Sequence, residues 1–239
     1  MNLTLLYWLG QVALFAGGWI GPWRDAPERA TNGRLPVQVR MLLSFSLVIA
    51  AMFFWRGGLS KVEDYGQWIF FGMLASFVGD LVMARLIPTP NRLVGGMIAF
   101  GIAHVLYITG YTQTIATISS LEPYSRWNTG LWIGLIVYGL IALLGWWFLI
   151  RNPRKETAVN IGALVYGLLV AVMASFALAL GYALGFWITA LGGLFFLTSD
   201  FIIGMKDIRG ISIKNANDWV WLTYVLAQMG IVYGGLVGA

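Results

Sequence analysis

The chain has no cysteine and a single histidine in 239 residues. Without cysteine there is no disulfide, no thiolate metal site and no cysteine nucleophile, and the redox compartment leaves no mark on the sequence. One histidine, His104, rules out a three-histidine zinc site, and two aspartates beside it would make a sparse one, so neither a metal nor a cofactor is expected. Charge is scarce too: Asp, Glu, Lys and Arg together make up 10% of the residues, against about a quarter in an ordinary soluble domain. Neither a phosphate-cradling P-loop nor a G-x-S-x-G nucleophile elbow occurs.

What is abundant is apolar. Hydrophobic residues make up 59% of the chain and its mean hydropathy is +0.77, so bilayer rather than water is the expected solvent. Apolar runs at roughly 3–21, 36–55, 65–87, 93–112, 128–150, 157–180, 183–205 and 218–238 are each long enough to cross about 30 Å of hydrocarbon. The fold class expected is therefore all-α, a single polytopic bundle of eight transmembrane helices spanning 1–239. The break between the sixth and seventh runs carries no charge. It is placed at Gly181-Tyr182 by its glycines, because one uninterrupted helix there would be far too long to span a bilayer. The first run has no Lys or Arg before it, so it lacks the basic start of a signal peptide and reads as a retained helix.

The excess of basic residues, net +5, would point to nucleic acid in a soluble protein, but here its placement reads as topology, and no nucleic-acid partner is expected. Arg24, Arg29, Arg34, Arg40, Arg85, Arg92, Arg151, Arg154, Lys155, Lys206, Arg209 and Lys214 lie in or beside the loops after helices 1, 3, 5 and 7, whereas the opposite side has Arg56, Lys61 and Arg126. Twelve against three predicts those odd loops in the cytoplasm and both termini outside; the membrane expected is a prokaryotic plasma membrane.

Charged groups deep in a bilayer cost at least about 2.5 kcal/mol each on insertion scales, which makes any that persist candidates for function. Asp80, in helix 3, and Asp200, in helix 7, both fall about 8–10 Å inside the cytoplasmic boundary. Each lies on a row of small residues, Gly72-Ser76-Asp80 and Thr189-Gly193-Phe196-Asp200, the pattern that lets helices approach closely in membranes. Two carboxylates at one depth on inward faces point to a shared cavity. The bland reading is an ion pair with Arg40 or Arg85 reaching in from the cytoplasmic edge. His104 and Tyr107 share a face of helix 4, and Tyr224 and Gln228 share a face of helix 8. Ser199 adjoins Asp200 but points about 100° away from it on a helix, so the two are not a nucleophile and its base. Arg40, one turn into helix 2, reads as an interface anchor.

Several of these residues fall in short signatures. Gly79-Asp80-Leu81-Val82-Met83, then Phe100-Gly101-Ile102-Ala103-His104-Val105-Leu106-Tyr107-Ile108, then Gly193 to Asp200 with its closing Ser199-Asp200, and finally Tyr224-Val225-Leu226-Ala227-Gln228 follow one another along the chain. In sequence and order this set resembles the YhhN family of lysoplasmalogenase-like membrane proteins. A Lys-Pro pair expected early in helix 2 is replaced here by Pro36 and, later, Arg40. The resemblance implies eight helices and hydrolysis of the vinyl-ether bond of a lysoplasmalogen, a lysophospholipid entering from the bilayer, to a fatty aldehyde and a glycerophospho-headgroup compound.

That chemistry needs two carboxyl roles: an acid to protonate the vinyl carbon, and a carboxylate to face the oxocarbenium ion and activate water, as in glycoside hydrolysis. Asp80 and Asp200 are the catalytic pair expected, in an order the sequence leaves open. His104, Tyr107, Tyr224, Gln228, Arg40 and Ser199 are expected to bind or orient the substrate. The rival reading is a lipid or small-molecule transporter or binding protein using the same aspartates. Against it, no span is broken midway by paired glycine and proline and no inverted repeat is evident.

Overall fold

The computed structural model describes residues 3–20, 33–60, 62–117 and 121–237. Arg24, Arg29 and Lys61, which carry part of the charge asymmetry, lie outside the described residues. Among the described residues eight helices are long and apolar enough to cross a membrane: α1 Leu3–Ile20, α2 Val37–Arg56, α3 Glu63–Met83, α4 Arg92–Ala116, α5 Leu121–Gly145, α6 Thr157–Leu184, α7 Trp187–Ile203 and α8 Ala216–Val237. Two of them run on as a wider π-helical turn, α5 through Trp146–Ile150 and α7 through Gly204–Arg209. No strand occurs among the described residues.

Local chemistry accounts for the helix ends. Asn91 opens α4, its side chain accepting from the amides of Leu93 and Val94 at 3.0 and 3.3 Å, with Pro88 and Pro90 just ahead of it. At the other end of the preceding helix, α3 stops at Met83. Arg85 takes a left-handed φ of 63° and the amide of Leu86 reaches back to the carbonyl of Leu81 at 2.9 Å, a closing turn that leaves the apolar Leu86 and Ile87 beyond the helix. The expected end near Ile87 is thus corrected by one turn, and Asp80 sits three residues from its helix end.

The expected break at Gly181-Tyr182 is also corrected. The helix continues through both residues, and the turn falls at Gly185, whose φ of +76° only glycine adopts at no cost and whose amide caps the carbonyl of Gly181. Gly181 instead serves packing, with Trp187 and Ala190 close against it.

Six helices form a closed cycle in the order α2, α3, α4, α6, α7, α8, each packed on the next, with α3 also touching α8 across the middle. The other two are peripheral: 11% of the span residues of α1 and 17% of those of α5 are buried, against 39–67% for the six. α1 leans on α2 and is pinned by one buried polar residue, Gln11, which accepts from Tyr233 at 2.7 Å and donates to Ser46 at 3.2 Å. The cycle closes through small residues. A Cβ added to Gly192 of α7 would come within 2.8 Å of the Ala227 carbonyl of α8, and one added to Gly193 within 3.0 Å of the Ala174 Cα of α6. In a bilayer, where no hydrophobic force separates helix from lipid, such backbone approach is what holds the bundle.

Candidate active site

Asp80 of α3 and Asp200 of α7 face into the helix cycle from opposite sides. Asp80 is buried, and its Oδ2 accepts from the Ser44 hydroxyl of α2 and from the Tyr224 hydroxyl of α8, the latter at 2.7 Å. A chain of polar contacts leads away from it. Gln228 donates to the Tyr224 oxygen at 3.1 Å and accepts from Tyr107 at 2.9 Å, and Tyr107 lies 3.2 Å from the Ser76 hydroxyl. Gly72, one turn from Ser76, leaves room for the Tyr107 ring, which a side chain there would strike. The row of small residues on α3 therefore seats Tyr107 and frames Asp80.

Asp200 has different company. Its Oδ2 accepts from the Tyr166 hydroxyl of α6 at 2.6 Å, and His104 Nε2 lies 3.9 Å from that oxygen and 3.4 Å from the Tyr166 oxygen. Since Tyr166 spends its proton on the aspartate, the tautomer with hydrogen on Nε2 is the one that satisfies His104 here. His104 Nδ1 is buried with no hydrogen-bond partner, and the ring packs edge-on against Phe196 at 4.6 Å. His104 is thus grouped with Asp200, whereas Tyr107, its neighbour one turn along α4, belongs to the network of Asp80. Both contacts to Asp200 use Oδ2.

Two cavities meet at these residues. One gathers charged groups and lies toward the basic loops; Arg40, Asp80, Arg92, Asp200, Lys206 and Asp207 are among its walls. The other is apolar and runs between α4, α5, α6 and α7, past Met97, Trp146, Gly167, Leu197 and the two π-helical turns. Met83, Phe100, Asp200 and Ile203 line both. Across this space α4 and α7 meet through aromatic rings, Phe100 and His104 on one side and Phe196 on the other. The π turns are held by Asn160, which exchanges hydrogen bonds with the backbone of Asn152 at 2.8 and 2.9 Å, while Asn152 donates to the Ile208 carbonyl at 2.9 Å. Such turns are frequent at functional sites.

Of the ion-pair alternative, the geometry keeps the attraction of Arg40 for Asp80 across their shared cavity but no direct contact. Arg40 lies over the Trp221 ring, 5.4 Å from its centroid, with its Nε buried and unpartnered. Among the described residues neither Arg40 nor Arg85 comes within 4.0 Å of either aspartate. Ser199 lines the polar cavity, but its hydroxyl donates to the Val220 carbonyl at 3.2 Å and ties α7 to α8.

Sequence reasoning missed Ser44 and Tyr166, the uncharged donors on the two carboxylates, and the cations Arg92 and Lys206. Ser44 had a signal: it lies one turn beyond Arg40 on the same face of α2. Tyr166 had a weaker one, its place three and four residues from the buried Ala163 and Val170 of α6.

No curated protein and no solved structure matches the chain. One family model does, over residues 37–235, which takes in every helix of the cycle and leaves out α1. On that match the chain, an integral membrane protein by its eight apolar helices, belongs to the YhhN family.

Proposed function

We propose that the protein hydrolyses the vinyl-ether bond of lysoplasmalogen-type lysophospholipids, with Asp200 as the acid and Asp80 as the carboxylate that activates water. The observation that carries this reading is the junction at Asp200, where a charged cavity and an apolar one meet beside a second inward carboxylate. A single-chain phospholipid has that division, a tail and a charged headgroup joined at the bond to be cut.

The roles follow from the surroundings. Asp80 is held by two hydroxyl donors and faces the charged cavity, an arrangement that suits an ionised group holding a water. Asp200 accepts one hydroxyl on Oδ2 and borders the apolar cavity, which leaves Oδ1 to carry the acid's proton beside the tail of the substrate. That proton passes to the vinyl carbon distant from oxygen, giving an oxocarbenium ion between the two carboxyl groups. Water loses a proton to Asp80 and adds to the cationic carbon. In the resulting hemiacetal, Asp200 takes the hydroxyl proton while Asp80 returns its own to the ether oxygen. The C–O bond then breaks to aldehyde and alcohol with both carboxyl groups restored. His104 and Tyr166 fix the orientation of Asp200, and Tyr224, Gln228 and Tyr107 that of Asp80.

The test is product analysis by mass spectrometry on purified protein given vinyl-ether, alkyl-ether and ester lysolipids of one chain length. Free aldehyde is expected from the vinyl ether alone. An intact vinyl-ether lipid would sink the enzymatic reading and leave a lipid-binding or transport role.

A further inference from the structure

We propose that Arg92, Lys206 and Arg40 form a seat for the phosphodiester of a single-chain phospholipid, in which Asp207 is an internal counter-anion that the phosphate displaces. The inference rests on the reading of the site as a lysolipid site, and it assigns the part of that site that recognises charge.

Three observations carry it. The first is placement: the three cations line the cavity that contains both aspartates, and that cavity shares the wall residues Met83, Phe100, Asp200 and Ile203 with the apolar one, so an amphiphile with its tail among the apolar walls brings its headgroup to them. The second is balance. Three cations face Asp207 and one ionised carboxylate of the catalytic pair, which leaves one positive charge, and one phosphodiester neutralises it.

The third is the looseness of the present pairing. Arg92 Nη2 lies 3.3 Å and Lys206 Nζ 3.5 Å from the Asp207 carboxylate, with the two basic side chains 41% and 35% exposed. Tight charge-assisted contacts measure about 2.7–2.9 Å, and exposed pairs contribute little to stability. The cations are therefore free to exchange partners at small cost, which a clamp between α4 and α7 would not be. Lys206 is steadied by Asn217 at 2.5 Å, and the buried Arg40 Nε has no hydrogen-bond partner. A guanidinium is the group that grips a phosphate through two oxygens at once.

The experiment measures binding by titration calorimetry in mixed micelles, with a saturated alkyl-ether lysophospholipid and the matching alkylglycerol, which lacks the phosphate. Neither has a vinyl ether, so this result reads the seat alone, while aldehyde release reads the chemistry alone. The whole protein is expected to prefer the phospholipid at least tenfold. Arg92→Gln and Lys206→Gln should each cut that preference fivefold or more, and Asp207→Asn should raise it. Inorganic phosphate at millimolar concentration should weaken binding of the phospholipid and leave that of the alkylglycerol unchanged.

Equal affinity for the two lipids would overturn the proposal. So would an Asp207→Asn protein that lowers the melting temperature without raising the preference, which is the behaviour of a structural clamp. If inorganic phosphate alone binds as tightly as the lysophospholipid, the seat serves free phosphate and the lipid assignment fails.

Discussion

At the scale of single residues, what separates catalysis from architecture is how Asp80 and Asp200 respond to losing a proton-bearing oxygen while keeping their shape. Asp80→Asn and Asp200→Asn should each fold and each lose about 10²-fold or more in turnover, the usual scale for a positioned proton transfer. The double variant should be little worse than the worse single one, because groups acting on one step do not multiply their losses. A structural role would appear instead as poor expression or a lowered melting temperature, from partners left unpaired in a buried site. Tyr166→Phe keeps the ring that packs 5.8 Å from His104 but removes the hydroxyl 2.6 Å from Asp200. It should lower kcat about tenfold with little change in KM, and an unchanged kcat would remove Tyr166 from the site. Turnover should also survive exhaustive chelation, since among the described residues no three His, Asp or Glu side chains gather as ligands. Loss with EDTA and recovery with one metal would make Asp200 and His104 ligands instead. The carboxylates were legible in the sequence because a charge in an apolar run is conspicuous. Ser44 and Tyr166 were not, because serine and tyrosine are ordinary inside membrane helices and only three-dimensional proximity distinguishes them.

At the scale of helices, length and apolarity were enough to find eight spans, since a bilayer requires both and loops supply neither. Their ends were less legible. The apolar Leu86 and Ile87 prolong the pattern of α3 past the closing turn at Arg85. Gly181 resembles a breaker but lies inside α6, and the glycine that ends the helix is Gly185. The π turns of α5 and α7 have no signature in composition, arising instead from how the two ends meet at Asn152, Ile150 and Gly204. Packing at this scale can be tested with two glycines. Alanine is the better helix former by about 1 kcal/mol, so Gly139→Ala in α5, where an added Cβ meets nothing within 4 Å, should leave the melting temperature equal or higher. Gly192→Ala would push a methyl group against the backbone of α8 and should lower it by several degrees. Matching shifts in the two proteins would show that α7 and α8 are not held by close approach.

At the scale of the whole molecule, eight crossings would put both termini on one side, and the placement of the basic residues proposes which. Tags before Met1 and after Ala239 should be reachable from outside intact cells, while one near Asn32 should be protected. A protected C-terminal tag would contradict the proposed orientation. The helix cycle also bears on what the proposed reaction would release. The two cavities that share Asp200 have different walls, one the apolar residues of α4 to α7 and one the charged residues at the basic end. A lipid cleaved there, as proposed, would become two fragments with opposite solubilities, one beside the apolar walls and one beside the charges. On the proposed reaction the aldehyde would partition into the bilayer and the headgroup compound into water, so dilution in separate phases would draw the reaction forward.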